Sequence, residues 1–565
     1  MSTSLVLDVL APFVLLLVTF LITRSYTQKR HAYPPGPPGL PIIGNMLQLP
    51  TNKHWLQYDR WTKQYGDVIQ ISSLGEKTII LGSVEAANDL LDARGNIYSD
   101  RPPATMAGEL VGWNLGLGYA RFFPSTSSPT TTSPTNSSFP LHSQNRFRAL
   151  RRFFHTSIGP RASLSPDLVL MQEQERTRLL GRLIEFGKRS VGKGGDVGDI
   201  IRQSTGALIL LLTYGYRVNT DTGDPLVKIV EDAMLGFARA SEPDAFWVDR
   251  LSILKHIPEW MPGASFQRKA RLMREDREKL YDVPFDFVIS QTNKNENLPS
   301  IVSTYLSAKS EDAEDVDAAD LGGLQADAEL IKAAAASLYS GADTPATLVT
   351  FLLAMVLNPE VQSRAHAELD ALLGSPSSSG DSELHRLPTA KDRGQLSFVD
   401  AIVKEVWRWN PSVPLGLAHR VTQDDVYKGM FIEAGTTVYP NIWSMLHDPQ
   451  TYPSPESFMP ERFLDSSGHM KKLEKWEDPG WVAFGFGRRI CPGMFLAENS
   501  IFTSIASLLY VFDILKAKDD NGTEIEPEVD YDGFICHAKP FPCRLVPRSK
   551  GVEALVMQEL QDASS

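Results

Sequence analysis

Phe484-Gly485-Phe486-Gly487-Arg488-Arg489-Ile490-Cys491-Pro492-Gly493 places one cysteine at the mouth of an apolar run, behind a glycine turn and beside two arginines. The run that follows, Met494 to Phe512, carries a single charge, Glu498, and its length and composition predict a buried helix. The first turn of such a helix has N–H groups without intrahelical partners, and they point back toward the sulfur. A helix N-terminus and a nearby arginine both lower a thiol's pKa, so the pattern favours a thiolate. Pro492 suits the first turn, where its missing N–H would have had no partner.

A sheltered thiolate has few uses. A hydrolytic nucleophile would need a histidine base, which this stretch lacks. Structural zinc would need further ligands at short spacing, and none follows. Gly485-x-Gly487-x-x-Ile490 lacks the third glycine of a dinucleotide fingerprint. A single axial metal ligand fits better, while Cys536 and Cys543 read as small core residues. The whole string resembles the haem-binding loop of the cytochrome P-450 superfamily, Phe-x-x-Gly-x-Arg-x-Cys-x-Gly, with Phe484, Gly487, Arg489, Cys491 and Gly493 at its fixed positions. The resemblance implies haem b held by Cys491 as axial thiolate to the iron. It also implies a mainly α cytochrome P-450 fold of about a dozen helices with small β-sheets.

The other matches lie in chain order. Ser340-Gly341-Ala342-Asp343-Thr344-Pro345, at the centre of a helical run from Ala328 to Leu357, resembles the family's oxygen-handling helix. Oxygen activation needs two protons, and in this likeness Asp343 relays them from solvent while the Thr344 hydroxyl donates. Pro345 stands where the family has a second alcohol. It withholds an amide from the carbonyl of Gly341, which predicts a kink. Glu405-Val406-Trp407-Arg408 puts acid and base on one helical face. With Arg462 of Pro460-Glu461-Arg462-Phe463, Glu405 and Arg408 would form the family's buried network beneath the haem loop. Haem propionates would be met by Arg101, by His419 and by Arg151 of Phe147-Arg148-Ala149-Leu150-Arg151. Phe147 replaces the family's tryptophan and so brings no indole N–H. The resemblance makes Leu415, Leu417, Phe534 and Ile535 lining residues of a pocket for a lipophilic substrate, framed by the loop Gly108 to Tyr119.

At 565 residues and 42% hydrophobic content the chain can bury a large core, and a net charge of -12 disfavours nucleic acid as a partner. Three cysteines, an odd number, argue for a reducing compartment. Leu5 to Ile22 is long and apolar enough to cross a bilayer, and Arg24, Lys29 and Arg30 follow it. Residues 1–23 are therefore read as a retained single-pass anchor in the endoplasmic reticulum membrane, with the rest cytoplasmic. Residues 24–50 are a basic flank and the proline strap Pro34 to Pro41, residues 51–548 the haem-thiolate domain, and 549–565 a tail.

Asp67 to Ile71 and Thr78 to Leu81 alternate like paired strands around Leu74-Gly75-Glu76. Between Arg121 and Asn145, sixteen of twenty-five residues are Ser, Thr or Pro, a composition that cannot pack. This stretch reads either as a surface insertion or as translated intron sequence. His256 to Gly263, apolar and broken by prolines, resembles the family's loop that dips into the membrane.

The activity implied is insertion of one oxygen atom of O2 into a lipophilic small molecule. Electrons would come from NADPH through a flavoprotein reductase, with cytochrome b5 as a second donor, and Arg148 and Arg152 would offer the docking charge. The texture is most like fungal enzymes of specialised metabolism. Two other readings stand beside it: a non-catalytic haem binder disabled by the insertion, and a thiolate-haem isomerase or peroxygenase.

Overall fold

The computed structural model describes residues 32–122, 143–190, 193–218, 223–243, 245–294, 298–312, 321–339, 344–375 and 386–562. The membrane anchor read at Leu5 to Ile22, and Asp343 with Gly341, lie outside these residues, as does most of the Ser/Thr/Pro-rich run.

Helices dominate, and short sheets fill one side. Helix α1 (His54–Tyr65) leads into strands β1 (Val68–Ser73) and β2 (Glu76–Leu81), which pair antiparallel with Val68 opposite Leu81. Leu74 and Gly75 both take positive φ, 51° and 88°, a tight turn whose twist suits two paired strands. Ser83 caps α2 (Val84–Ala87) by accepting from the Ala86 N–H at 3.3 Å, and α3 (Gly95–Tyr98) follows. Five longer helices and one short one come next: α4 (Ser143–Ile158), α5 (Pro166–Arg189), α6 (Gly198–Tyr214), α7 (Pro225–Ser241), short α8 (Trp247–Arg250) and α9 (Ser265–Thr292).

The second half packs tighter. It holds α10 (Ile301–Asp312), α11 (Leu321–Tyr339), α12 (Thr344–Leu357), α13 (Pro359–Leu373) and α14 (Ser397–Trp409). Strands β3 (His419–Arg420), β4 (Asp425–Tyr427), β5 (Met430–Ile432) and β6 (Thr437–Pro440) then precede α15 (Ile442–Leu446), α16 (Pro479–Val482) and α17 (Met494–Val511). The chain closes with β7 (Phe512–Lys516), β8 (Tyr531–Asp532), β9 (His537–Ala538), β10 (Cys543–Pro547) and α18 (Lys550–Asp562). The main sheet runs β1-β2-β6-β3, with β2 and β6 parallel.

Two apolar cores meet at one cavity. The larger gathers α5, α12, α14 and α17; the other gathers α4, α6, α7, α9 and α11. Met494–Val511 has the length and hydropathy of a membrane span, yet 78% of it is buried inside the protein, so it is a core helix. Cys536 and Cys543 are buried free thiols, and burial pushes Cys543 up to about 12.

Four boundaries differ from the sequence reading. Arg121 and Phe122, assigned to the unpackable run, belong to the fold: Arg121 forks onto the buried Asp100 carboxylate, and the Phe122 ring meets Phe147 edge-on at 5.4 Å. At the far end of that run, the backbone from Ser143 is already helical. The proline strap, read as lying outside the domain that starts at 51, packs on it: Pro35 O accepts from the Gln70 N–H at 2.8 Å and Asn45 Nδ2 donates to Pro37 O at 2.9 Å. Residues 550–562 are a docked helix instead of a tail, burying Val552 and Val556 against α5 and pairing Glu559 with Arg176.

Candidate functional site

The loop Phe484 to Gly493 links α16 to α17. The Cys491 N–H donates to Phe484 O at 2.9 Å, which closes the loop on itself and turns the cysteine to the cavity wall. Gly487 has φ +57°, and a Cβ there would lie 2.1 Å from Leu91 O, so only glycine lets the loop press on that backbone. Helix α17 begins at Met494 with Gly493 as its N-cap. Pro492 therefore precedes the cap and does not occupy the first turn; its fixed φ stiffens the approach instead.

Around Cys491 the tertiary fold collects cations from distant segments. Arg101 donates to Gly118 O at 2.9 Å and to Leu417 O and Ala418 O, each at 2.7 Å. Arg489 donates to Ser99 O at 2.8 Å and Ala120 O at 2.6 Å, and its guanidinium lies 4.0 Å from the centre of the Phe147 ring. Phenylalanine thus gives here a cation–π contact in place of an indole N–H. Arg151 donates to Ile490 O at 2.7 Å, next to the cysteine. His419 is buried with Nδ1 at 2.9 Å from Tyr98 O, an acceptor only, so Nδ1 carries the proton.

All four groups are pushed toward their neutral forms, first by burial. Arg101 falls to about 10, Arg489 and His419 go well below their ordinary values, and Arg151 also drops. Mutual repulsion adds to this for His419 and Arg489. Asp100 is the near carboxylate, and it already takes Arg121 bidentately. The three arginines meet backbone carbonyls where buried cations ordinarily meet carboxylates. A ligand with two carboxylates of its own would supply the missing charge. That donor set fits haem b: Cys491 would hold the iron, and Arg101, Arg151 and Arg489 would meet its carboxylates.

The opposite wall is apolar with a few hydroxyls. Leu417, Phe534 and Ile535 line the cavity, as does Thr344 at the start of α12. Leu415 does not. Gly416, at φ +59°, turns the chain between them, and Leu415 packs into a separate core with Trp55 and Trp61. Pro345 is buried in α12, and the carbonyl of Gly341, from which it would withhold an amide, lies outside the described residues. Phe237 of α7 and the hydrogen-bonded pair Thr347 and Ser412, 3.2 Å apart, were not read from the sequence. Thr347 had a signal, one turn beyond Thr344; Phe237 had none, because helix packing alone brings α7 to this wall.

Below the loop, Glu405 and Arg408 have no solvent exposure. Arg408 Nε and Nη2 donate to the carboxylate at 2.7 and 2.9 Å, the Met459 N–H at 2.7 Å, and Arg462 Nε at 3.3 Å. Trp407, on the same helix, meets the Phe484 ring edge-on at 5.5 Å and so couples the network to the loop.

Cys491, Arg101, Arg151, His419 and Arg489 thus face one cavity in a mainly α fold. The family described as Cytochrome P450 matches residues 34–121 and 119–543. Cytochrome P450 monooxygenase 208 of Postia placenta is 40% identical over 98% of this chain and 97% of its own length. Cytochrome P450 monooxygenase claR of Ampulloclitocybe clavipes is 37% identical over 96% and 91%, and the tryptamine 4-monooxygenase of Psilocybe cyanescens 34% over 93% and 94%. The chain belongs to the cytochrome P450 family, whose fold it has and whose cofactor is haem b. It is a monooxygenase of the fungal kind.

Proposed function

We propose that this enzyme is membrane-bound and inserts one oxygen atom of O2 into an unactivated C–H or C=C bond of a lipophilic small molecule of fungal secondary metabolism. One observation carries the reading: Cys491 opens on the same cavity as Arg101, Arg151, His419 and Arg489, with an apolar wall opposite. Haem held by the Cys491 thiolate would supply the redox chemistry of O2 cleavage, which an electron-rich sulfur ligand favours.

The chain's own side chains do the rest. Arg101, Arg151 and Arg489 give charge-assisted bonds to the two carboxylates. His419 joins them once Nε2 takes a proton, which a neighbouring carboxylate favours and the nearby arginines oppose. Glu405, Arg408 and Arg462 hold the loop from beneath. The Thr344 hydroxyl stands at the cavity wall as the last proton donor, with Asp343 as its feed from solvent. Leu417, Phe534, Ile535 and Phe237 exclude water and grip an apolar substrate.

Partners follow from the surface. Arg148 and Arg152 are exposed on α4, the helix whose Arg151 donates to Ile490 O beside Cys491, and suit an acidic NADPH-dependent flavoprotein reductase, with cytochrome b5 as a second donor. Trp260, 79% exposed, with Ile253, Trp247 and Met261 forms an apolar face that suits a lipid surface. In this reading residues 1–23 anchor the chain in the endoplasmic reticulum, 24–50 orient it, and the haem domain stays cytoplasmic.

The test is the carbon-monoxide difference spectrum of the reduced, purified protein, followed by NADPH consumption with a reductase. The long-wavelength Soret band of a thiolate ligand, lost in Cys491→Ser, is expected. A spectrum of histidine-ligated haem overturns the site assignment, and a thiolate spectrum without reductase-dependent product favours a passive binder.

A further inference from the structure

Helices α7 and α9 enclose a groove of about 590 Å3 that shares no lining residue with the cavity facing Cys491. The two helices are antiparallel: a Cβ at Gly236 would meet Met273 Cγ at 3.3 Å, and Lys279 feels the charge of Asp232. Asp232 thus stands level with Asp276 and Arg239 with Lys269, the two levels lying about 10 Å apart at 1.5 Å of rise per residue. Between them Leu235 and Leu272, 50% and 46% exposed, form an apolar middle with Met273 and Phe246. Gly236 brings no side chain, and that absence gives the groove its depth.

Charge is sorted along the groove. Asp232 pairs with Lys228 at 3.3 Å and Asp276 with Lys279 at 3.0 Å, so the acidic end is already balanced. At the other end neither Arg239 nor Lys269 has an ion-pair partner among the described residues. Glu242 is the acid near them, and it lies against the Phe534 backbone N–H. Two cations set against one acid leave one positive charge, which a monoanion balances. The far end asks for no charge, so a fitting ligand is charged at one end and apolar along its length. The volume is that of an ordinary ligand pocket.

The groove is also joined to the site. Gly236 lines the groove, whereas its neighbour Phe237 lines the cavity that faces Cys491. Phe237 meets Trp113, Tyr119 and Phe534 edge-on, at 5.1, 6.0 and 6.3 Å. A chain wedged between α7 and α9 displaces Phe237 and with it this aromatic cluster, because close-packed side chains transmit a shift.

We propose that the groove binds a long-chain carboxylate, with its head on Arg239 and Lys269 and its chain between Leu235 and Leu272, and that occupancy changes the affinity of the inner cavity for its own ligand. Arg239 can take the head through two parallel N–H bonds. The coupling is reciprocal, so a ligand in the inner cavity changes the affinity of the groove by the same factor.

The experiment is equilibrium dialysis of radiolabelled dodecanoate against the full-length holoenzyme, with excess phenylimidazole on the iron to block the inner cavity. One equivalent should bind, and added salt should weaken it. Arg239→Glu with Lys269→Glu should weaken binding about tenfold or more, Leu235→Asn with Leu272→Asn about as much, and Arg239→Lys should preserve it. These side chains are exposed, so the variants should keep the fold, with an unchanged carbon-monoxide spectrum as the check. Dodecyl phosphate, a dianion above pH 7, should bind more weakly than dodecanoate. No dodecanoate bound beside phenylimidazole, or binding within about twofold of wild type in both double variants, refutes the site. Tighter binding of dodecyl phosphate refutes the carboxylate head. In a separate Soret titration the dissociation constant of phenylimidazole should change about threefold and level off as dodecanoate rises, and stay constant in Arg239→Glu with Lys269→Glu. A rise without limit is plain competition in the inner cavity, and that result, or a change that survives in the double variant, refutes the coupling.

Discussion

Replacing Glu405 by leucine removes the acceptor at the centre of the network beneath the haem loop. The carboxylate takes four hydrogen bonds, two from Arg408, one from Arg462 and one from the Met459 N–H. Arg408 would keep its bonds to Leu446 O and Ser457 O but would remain a fully buried cation without a counter-charge. Breaking a buried pair from one side costs about 3–5 kcal/mol. For a domain of this size that is a fall in melting temperature of about 4 °C.

The same physics sets a sharper test. Glu405→Leu with Arg408→Met removes both charges, so the double variant should be less destabilised than the two singles added together, by about 3 kcal/mol. Urea titrations followed by far-ultraviolet circular dichroism, with Soret absorbance read in parallel, give all corners of the cycle. Haem should be lost at lower urea than helicity in Glu405→Leu, because Trp407 transmits any shift of α14 to Phe484. Additivity within about 0.5 kcal/mol would refute the buried-charge explanation.

Burial holds His447 down at about 3 and His537 at about 4, while an unfolded histidine protonates near 6.5. Below about pH 6.5 the unfolded chain therefore binds more protons, and stability falls with pH toward those folded values. His447→Phe, which keeps a ring stacked on Trp443, should flatten that fall by about 1.4 kcal/mol per pH unit; parallel urea-midpoint curves at pH 7, 6 and 5 would contradict it. Gly487→Ala meets the fixed Leu91 carbonyl and should purify with little haem, so full haem stoichiometry would show that the loop can give way. Arg148→Glu with Arg152→Glu should weaken reductase-supported turnover most at low salt, and unchanged kinetics would move the docking face elsewhere. Thr344→Ala should lower product per NADPH, with Thr344→Ser restoring it; equal coupling in all three proteins would remove the hydroxyl from proton delivery.

What could be read in the chain was whatever a few neighbouring residues decide together. The glycine turn before Cys491, the apolar run after it, Glu405 three residues from Arg408, and the alternation of β1 and β2 are local, and each fixes its geometry through backbone conformation or helical spacing. Segment identity followed from those strings. Direction did not: Leu415 and Leu417 are alike in type and two apart, and the turn at Gly416 sends one to a core and the other to the cavity. Boundaries failed where composition misled, since Arg121 and Phe122 sit in a Ser/Thr/Pro-rich run but are claimed by Asp100 and Phe147 from other segments.

The sequence alone determined that a sheltered sulfur would stand ahead of a buried helix, because both features lie within one short stretch. Only the tertiary structure decided which cations share its cavity, that Phe147 answers Arg489 through its ring, and that Phe237 and Phe534 brace each other over the wall. Those contacts join residues hundreds apart, and their geometry is settled by how whole helices pack, which no local pattern encodes.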